Sequence, residues 1–188
     1  MAYLSQSYKI TGVAPLLLNN GQLCNPLNEW TKALKKITGK RKMTEADHEE
    51  KSRLEWYGGL YISNGLPCLP AENWERALLD AGRKVNLGKD VQAGTYVTDS
   101  TPLIYDGPTD IDALWKDERF KLTSPVKIGK NRVMHTRPKF PEWSCTVEYR
   151  FETSILSFGQ LNQLLEIAQI QGIGDWRPKF GRFTAEAV

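Results

Sequence analysis

The sequence predicts an α+β fold in which two helices cover one face of a four-stranded antiparallel sheet. Residues 144–153 alternate apolar and polar side chains, as a half-buried strand does. Two segments, 72–82 and 158–171, repeat apolar residues at helical spacing. With the long stretch between the first strand and the helix at 72–82 set aside as an insertion, strands and helices follow the order β-α-β-β-α-β. This is the ferredoxin-like (RRM-like) order.

The N-terminal third contains the first strand and then mostly helical signals. The first strand is predicted to end at Gly12, and residues 27–37 are predicted to form a short helix. Thr44, followed three residues later by an aspartate, indicates the start of a longer helix. Asn64-Gly65 between apolar residues is typical of a two-residue hairpin loop.

The rest of the chain supplies the remaining core elements. The first core helix is expected at 72–82, and the polar, aperiodic stretch 86–101 is expected to be a loop. The second strand of the sheet is expected at about 119–128 and the third at about 144–153. After the second core helix, Gly172 is expected to act as its C-cap, and the last residues form the closing strand.

Composition excludes several classes of protein. The chain has 188 residues, of which 40% are hydrophobic and 25% charged, enough for one core and not typical of disorder. Its three cysteines are far apart, which argues against a disulfide framework or a zinc knuckle. No stretch approaches the roughly 18 apolar residues of a membrane helix. We therefore expect a soluble, cytoplasmic protein with reduced cysteines and no membrane partner.

Charge is distributed unevenly although the net charge is only +3. The stretch 121–139 is basic and contains no acidic residue, and a second basic run spans 32–42. Each run alone is typical of a solvated face, so charge by itself does not identify a partner. The basic residues of the first run are Lys121, Lys127, Lys130, Arg132, Arg137 and Lys139.

The segment "GIGDWRPKFGRF", residues 172–183, combines glycines, cations and aromatic residues. Glycines expose backbone N–H groups that can hold a phosphate, arginines grip phosphates, and aromatic rings stack on bases. The alternative is a helix cap, a turn and a strand whose aromatic residues belong to the core. The glycines are Gly172, Gly174 and Gly181, the cations Arg177, Lys179 and Arg182, and the aromatics Trp176, Phe180 and Phe183.

This segment resembles the C-terminal glycine-rich loop of the RAMP superfamily, repeat-associated proteins that form CRISPR effector backbones and process guide RNA. "ITGVAPLLLNNG" and "GLPCLPAENWERALLDAG" are similar to two further blocks of the backbone subunits. In the second block, residues 71–73 are Ala-Glu-Asn where the family has Gly-Ser-Ser, and an acidic residue there repels phosphate. The whole chain is also similar to small uncharacterised proteins of tailed phages.

The resemblance implies one RAMP-like domain over 1–188, with an insertion at 14–66 and a basic β-hairpin at 121–139. Such excursions grip the guide strand and contact the next subunit in the family. The implied nucleic-acid contacts on the hairpin are Lys127, Lys130, Arg132, His135, Arg137 and Lys139. Those near the C-terminus are Gly172, Gly174, Trp176, Arg177, Lys179, Gly181 and Arg182.

Catalysis has little support in the sequence. His48 lies in a charged helical face and is expected to be exposed without a role. His135 is the better nuclease candidate, but a nucleic-acid contact or no role is favoured over catalysis for it. Neighbouring acidic residues at 47–50 would point in different directions on a helix, so no metal site is predicted.

The sequence therefore predicts a non-catalytic protein that binds single-stranded RNA or DNA, without a cofactor, in the cytoplasm of a bacterial host cell. It would act as an oligomer along the strand or together with CRISPR effector subunits. Two alternatives stay open. One is a protein-interaction component, such as a CRISPR backbone-subunit mimic or a phage assembly factor, and the other is an RNA endonuclease that uses His135.

Overall fold

The computed structural model describes residues 3–188, apart from the side chain of residue 128. This part of the chain folds into a mixed α+β structure with six α-helices and three antiparallel sheets. None of its helices combines the length and the apolar character needed to cross a bilayer. The chain divides into two compact units, one of residues up to 16, 62–106 and 141–188, the other of residues 17–61 and 107–140.

The elements follow one another along the chain in a mixed order. The helices are α1 (Glu29–Thr38), α2 (Glu45–Gly59), α3 (Ala71–Lys84), α4 (Gly88–Gly94), α5 (Ile111–Lys116) and α6 (Phe158–Gln171). The strands are β1 (Tyr3–Gly12), β2 (Leu16–Leu17), β3 (Ile62–Ser63), β4 (Leu66–Leu69), β5 (Thr95–Tyr96), β6 (Thr101–Pro102), β7 (Lys121–Ile128), β8 (Asn131–Phe140), β9 (Ser144–Glu152) and β10 (Phe183–Ala187).

A four-stranded antiparallel sheet with the order β10-β1-β9-β5 organises the first unit. Its central strand β1 pairs with β9 and β10 together, so that Ile10 lies opposite Cys145 on one side and Ala185 on the other. Because side chains alternate between the two faces of a strand, this register decides which residues are buried. A small sheet with the order β3-β4-β6 completes the unit.

One face of the four-stranded sheet forms the core of this unit with α3 and α6. Alternate residues of β1 and β9, among them Tyr8 and Tyr149, are almost fully buried. The Tyr8 hydroxyl donates to Asn162 Oδ1 of α6 at 2.6 Å, and the Tyr149 hydroxyl donates to the Trp74 carbonyl of α3 at 3.4 Å. Burial raises the pKa of Tyr8 to about 12, so this hydroxyl stays protonated as a donor.

The prediction that residues 119–128 form the second strand of this sheet is wrong. That position is taken by β5, two residues long, within a stretch expected to be a loop. The segment 121–128 instead pairs with β8 in a separate sheet. A two-residue strand is too short to show a periodicity. Alternating apolar and polar residues predict a strand, but they do not predict which sheet the strand joins.

The second unit packs α1, α2 and α5 with a sheet of order β2-β8-β7. Strands β7 and β8 form a long hairpin, in register from Lys121–Pro138 to Ile128–Asn131. Trp56 of α2 is fully buried, and its indole N–H donates to the Phe120 carbonyl at 2.8 Å. Its ring lies 5.5 Å from the Trp115 ring of α5, which closes the aromatic core of this unit.

Several local sequence signals are confirmed. Thr44 and Asp47 form a capping box at the start of α2, and the adjacent Lys40 lowers the pKa of Asp47 to about 2. Asn64-Gly65 forms the β3–β4 turn with φ of 51° and 78°. Gly172 caps α6 with φ of 77°. Each of these features depends on residues that lie close together in the sequence.

Phe183 tests the assignment of the last strand to the core. It is 3% exposed, and its ring lies 5.8 Å from the Trp74 ring and 6.4 Å from the Trp143 ring. We expect Phe183→Ala to lower the free energy of unfolding in urea by about 3 to 5 kcal/mol, because it removes a buried aromatic side chain. Phe158→Ala, at a ring that is 45% exposed, should cost less than about 1 kcal/mol. Equal losses would contradict the core assignment.

Candidate nucleic-acid interface

The side chains for which the sequence predicts nucleic-acid contacts lie in two places. One set lies on the β7–β8 hairpin in the second unit, and the other lies in the loop 172–182 in the first unit. The first is a β-hairpin and the second is a glycine-containing loop. The two also differ in how many of their cations pair with a carboxylate.

The end of the hairpin is a two-residue loop, Gly129-Lys130. Gly129 has φ of +60°, and a glycine in the first loop position is typical of type II′ turns. Just before this loop, Lys127 lies directly opposite Arg132 in the strand register. Like charges directly opposite each other destabilise an antiparallel pair. The turn therefore brings together cations that repel one another.

Lys127, Lys130 and Arg132, here called the hairpin tip, are all exposed. Among residues 3–188, no ion pair involves any of these three side chains. No acidic residue occurs in the sequence between 121 and 139. The hairpin tip is thus a positive surface without compensating charge of its own.

Closer to the helices, the hairpin is less accessible. Arg137 is buried, with 7% exposure, and Lys139 is half-buried. The His135 ring is also largely covered, and its Nδ1 lies 2.9 Å from Oε1 of Glu55 in α2. These three predicted contacts are therefore less available to a ligand than the hairpin tip is.

Glu55 is a buried carboxylate with three donors. Lys51 Nζ lies 2.5 Å from its Oε1, His135 Nδ1 donates to the same oxygen, and the Thr136 backbone N–H donates to Oε2 at 3.0 Å. Burial raises the pKa of Glu55, but the hydrogen bonds from His135, Lys51 and Thr136 outweigh it, so the pKa lies below its usual value. This group, the Glu55 clamp, holds β8 against α2.

The glycines of the C-terminal loop allow two backbone segments to touch. A Cβ on Gly181 would lie 1.8 Å from the Ile173 carbonyl oxygen, and one on Gly172 would lie 2.7 Å from the Phe180 carbonyl oxygen. The Ile173 N–H donates to the Gly181 carbonyl at 2.9 Å, and the Gly181 N–H donates to Pro15 at 2.8 Å. The amides of this contact are therefore used within the protein.

The three aromatic side chains of the loop differ in accessibility. Phe183 and Phe180 are buried, with 3% and 9% exposure. Trp176 is partly exposed, has φ of +52°, and leans on Phe180 with the ring centroids 6.2 Å apart. Trp176 is therefore the member of this group that a base could reach.

Trp176 and Arg177 line an open cleft of about 830 Å³, here called the loop cleft. Its walls are the last turns of α3 and α6 and the loop 174–178. Arg177 Nη2 lies 3.3 Å from Asp80 Oδ2 of α3. The sequence did not predict the lining residues of α3 and α6. Asp80, Arg83 and Lys84 belong to α3, far from the loop in the sequence, and Gln171 directly precedes the loop but carries no charge.

The other predicted residues of the loop lie outside this cleft. Lys179 is exposed, with Nζ 5.6 Å from the Phe180 ring centroid. Arg182 is exposed, and its carbonyl accepts the N–H groups of Val13 and Ala14 at 2.7 and 3.1 Å. Both cations are accessible, and neither lines the loop cleft.

The sheet face opposite α3 and α6 is open to solvent in the first unit. It carries an aromatic pair, Tyr3 and Tyr96, with ring centroids 5.5 Å apart and Tyr3 51% exposed. Its charges are balanced, since Arg150 pairs with Glu148 at 3.1 Å and the exposed Lys9 lies opposite Glu186. This face offers stacking surface but no net positive charge.

Comparison with known proteins adds no family. No family model matches the sequence, and no curated protein matches it significantly. The resemblance to the RAMP superfamily therefore stays a prediction from the three segments 10–21, 65–82 and 172–183.

Gly181→Ala tests the packing role of the loop glycines. The new Cβ would meet the Ile173 carbonyl and would be held at φ of +71°, so we expect a loss of at least about 3 kcal/mol in urea unfolding. Gly65→Ala is the matched control, because φ is +78° there but no atom lies within 4 Å. Its expected cost is about 1 to 2 kcal/mol. A Gly181 variant as stable as the Gly65 variant would contradict the packing role.

Glu55→Gln tests the Glu55 clamp. Near neutral pH we expect it to lower the free energy of unfolding by about 2 kcal/mol or more, since it removes the charge that Lys51 and His135 face. A carboxylate with a lowered pKa stabilises the fold above its unfolded-state pKa, and this contribution is lost as the pH falls. The difference between wild type and variant should therefore shrink from about pH 5 to about pH 3 in urea titrations. A constant difference would show that Glu55 is not ionised in the folded state.

Proposed function

We propose that this protein binds single-stranded nucleic acid, RNA or DNA, without cleaving it, and that the hairpin tip is its main phosphate contact. The observation that carries the proposal is the set of three exposed, unpaired cations, two of which lie directly opposite each other. A phosphate between Lys127 and Arg132 would replace their repulsion by attraction. A polyanion is therefore the partner that this surface fits best.

The second basic run has a simpler explanation. Lys35 and Lys36 stand in the last turn of α1, where cations complement the partial negative charge of the helix C-terminus. The hairpin has no helix terminus at its tip, so no helix dipole stabilises its cations. This difference favours the hairpin over α1 as the phosphate contact.

The proposal includes a ferredoxin-like core of the RAMP type, with the insertion at 14–66 and the hairpin as excursions from it. It is supported by the strand order β10-β1-β9-β5, with α3 before β5 and α6 before β10, which corresponds to the order of a β-α-β-β-α-β unit. Assembly side by side along a strand belongs to the same proposal and rests on the resemblance.

Contact through the hairpin is favoured over contact through the open sheet face. That face carries the Tyr3–Tyr96 pair, but its cations are matched by Glu148 and Glu186. Phosphate contacts supply most of the affinity for a strand of arbitrary sequence, so a neutral face is the weaker surface.

The Glu55 clamp is the reason why we expect no cleavage by His135. A catalytic histidine needs a ring that can reach the substrate, whereas His135 is largely covered and held by a carboxylate that also binds Lys51 and the backbone of Thr136. This arrangement supports a structural role for His135 at the base of the hairpin.

One observation favours the alternative of a protein-interaction component. Glu72 is exposed in the first turn of α3, where the resembling family contacts phosphate, and a carboxylate there repels a strand. A CRISPR backbone-subunit mimic or a phage assembly factor would have no need of phosphate at this position.

The hairpin tip is tested by a triple variant, Lys127→Ala, Lys130→Ala and Arg132→Ala. We expect the Kd for labelled poly(U) or poly(dT), measured by fluorescence anisotropy at low salt, to rise at least about tenfold. The slope of log Kd against log salt should fall by about 2, since each phosphate contact to a single strand contributes about 0.7. The matched control removes three exposed lysines of α1, Lys32, Lys35 and Lys36, and should leave the Kd unchanged.

Four outcomes would contradict this function or a part of it. Wild type that does not bind either polymer at low salt would exclude it, and equal Kd values for the hairpin and control variants would exclude the hairpin as the contact. Co-purification of host effector subunits without nucleic acid would support the protein-interaction alternative. Shortening of the polymer by wild type, lost in His135→Ala, would show an endonuclease instead.

A further inference from the structure

Three guanidinium groups converge on the carboxylate of Asp80 beside the loop cleft. Arg76 Nε lies 2.9 and 3.0 Å from its two oxygens, Arg83 Nη1 lies 3.0 Å from Oδ1, and Arg177 Nη2 lies 3.3 Å from Oδ2. Arg76 and Arg83 come from the same helix as Asp80, one turn before and one turn after it. Arg177 reaches it from the loop. One carboxylate cannot neutralise three guanidinium groups.

The charged side chains that line the cleft, together with Arg76, carry a net positive charge. Arg83, Lys84 and Arg177 line the cleft with Asp80 and Asp175, and Arg76 pairs with Asp80 from outside the lining, so these six side chains carry two net positive charges. The C-terminal ends of α3 and α6 contribute about half a negative charge each. About one positive charge remains, so the cleft attracts an anion.

Helix capping does not explain all of these cations. Arg83 and Lys84 lie in the last turn of α3, where they complement the helix dipole. Arg177 belongs to no helix, and its contact with Asp80 is the longest of the cluster. Exposed ion pairs are weak, so a phosphate can take Arg177 from Asp80 at little cost.

The cleft also carries groups suited to a base. Trp176 lines it and is partly exposed, and its backbone has a positive φ, which residues other than glycine rarely adopt. Gln171 lines it as well, so a side-chain amide lies in the same cleft as the ring. An aromatic ring for stacking together with a hydrogen-bonding amide suits a nucleobase.

We propose that the loop cleft binds one nucleotide, with its phosphate on Arg177, Arg83 and Lys84 and its base against Trp176 and Gln171. The cleft volume of about 830 Å³ lies within the usual range of small-ligand sites, about 300 to 1,000 Å³. The inference rests on the proposed function for the source of the nucleotide, the phosphate-bearing end of a bound strand. The same chemistry accepts a free nucleotide.

The probe is AMP, measured by isothermal titration calorimetry at low salt. Wild type binds it, and Arg177→Ala and Trp176→Leu each raise the Kd about tenfold or more. Gln171→Leu raises it severalfold, because the cleft loses its hydrogen-bonding amide. Lys89→Ala, which removes an exposed cation of α4 away from the cleft, leaves the Kd unchanged. Circular dichroism checks that each variant is folded.

Two milder variants keep the test valid where truncation unfolds the loop. Arg177→Lys keeps the charge and loses the paired N–H groups, so it binds AMP more weakly than wild type. Trp176→Phe keeps a smaller ring and reduces the affinity less than Trp176→Leu. Wild-type affinity in both milder variants would overturn the site.

The ligands themselves separate the parts of the site. Adenosine and inorganic phosphate each bind more weakly than AMP. Phosphate binding as tight as that of AMP would overturn the base contact, and adenosine binding as tight would overturn the phosphate contact. A strand with a 5′- or 3′-terminal phosphate that displaces AMP identifies a strand end as the source, whereas displacement by mononucleotides alone identifies a free nucleotide.

Failure of this inference is distinguishable from failure of the proposed function. Wild type that binds poly(U) or poly(dT) through the hairpin tip but does not bind AMP would overturn the nucleotide site alone. Wild type that binds AMP through the loop cleft but neither polymer would overturn the proposed function and leave the site. Equal AMP affinity in wild type, Arg177→Ala and Trp176→Leu would overturn the site in either case.

Discussion

The register of β1 is the constraint on which the first unit depends. β1 pairs with β9 on one side and β10 on the other, and a shift by one residue would turn Tyr8 and Ile10 from the core to solvent. To bring β10 beside β1, the chain must reverse direction directly after α6. The Gly172–Gly181 backbone contact makes that reversal compact, and it leaves Trp176 and Arg177 on the rim of the loop cleft. The fold therefore positions this cleft as a consequence of closing its sheet.

In both units, some charged side chains pair within the fold, and other cations exceed the carboxylates near them. In the second unit, Glu55 binds Lys51 and His135 where the hairpin meets α2, while the hairpin tip has no acidic partner. In the first unit, the cations around Asp80 outnumber the carboxylates. Charges that pair within the fold have a structural role, so the proposed binding of an anionic partner depends on the surplus cations.

The three segments that resemble the RAMP superfamily have different structural roles. The first two contain the end of β1 and the start of α3, and the third contains the loop that closes the sheet. Gly172 and Gly181 in the third are required by backbone packing, which would select them with or without a nucleic-acid partner. The cations are exposed and Trp176 is partly exposed, so these side chains are the part of the resemblance on which the proposed nucleic-acid binding depends.

Local sequence patterns are sufficient to predict the capping box at Thr44, the turn at Asn64-Gly65, both core helices and the strand at 144–152. Each depends on residues close in the chain, where spacing reflects the geometry of one turn or one pleat. Three features follow from the tertiary structure alone: β5 occupies the edge of the sheet, His135 faces Glu55, and Arg177 meets Asp80 of α3. These are contacts between distant segments, and no local pattern specifies its partner.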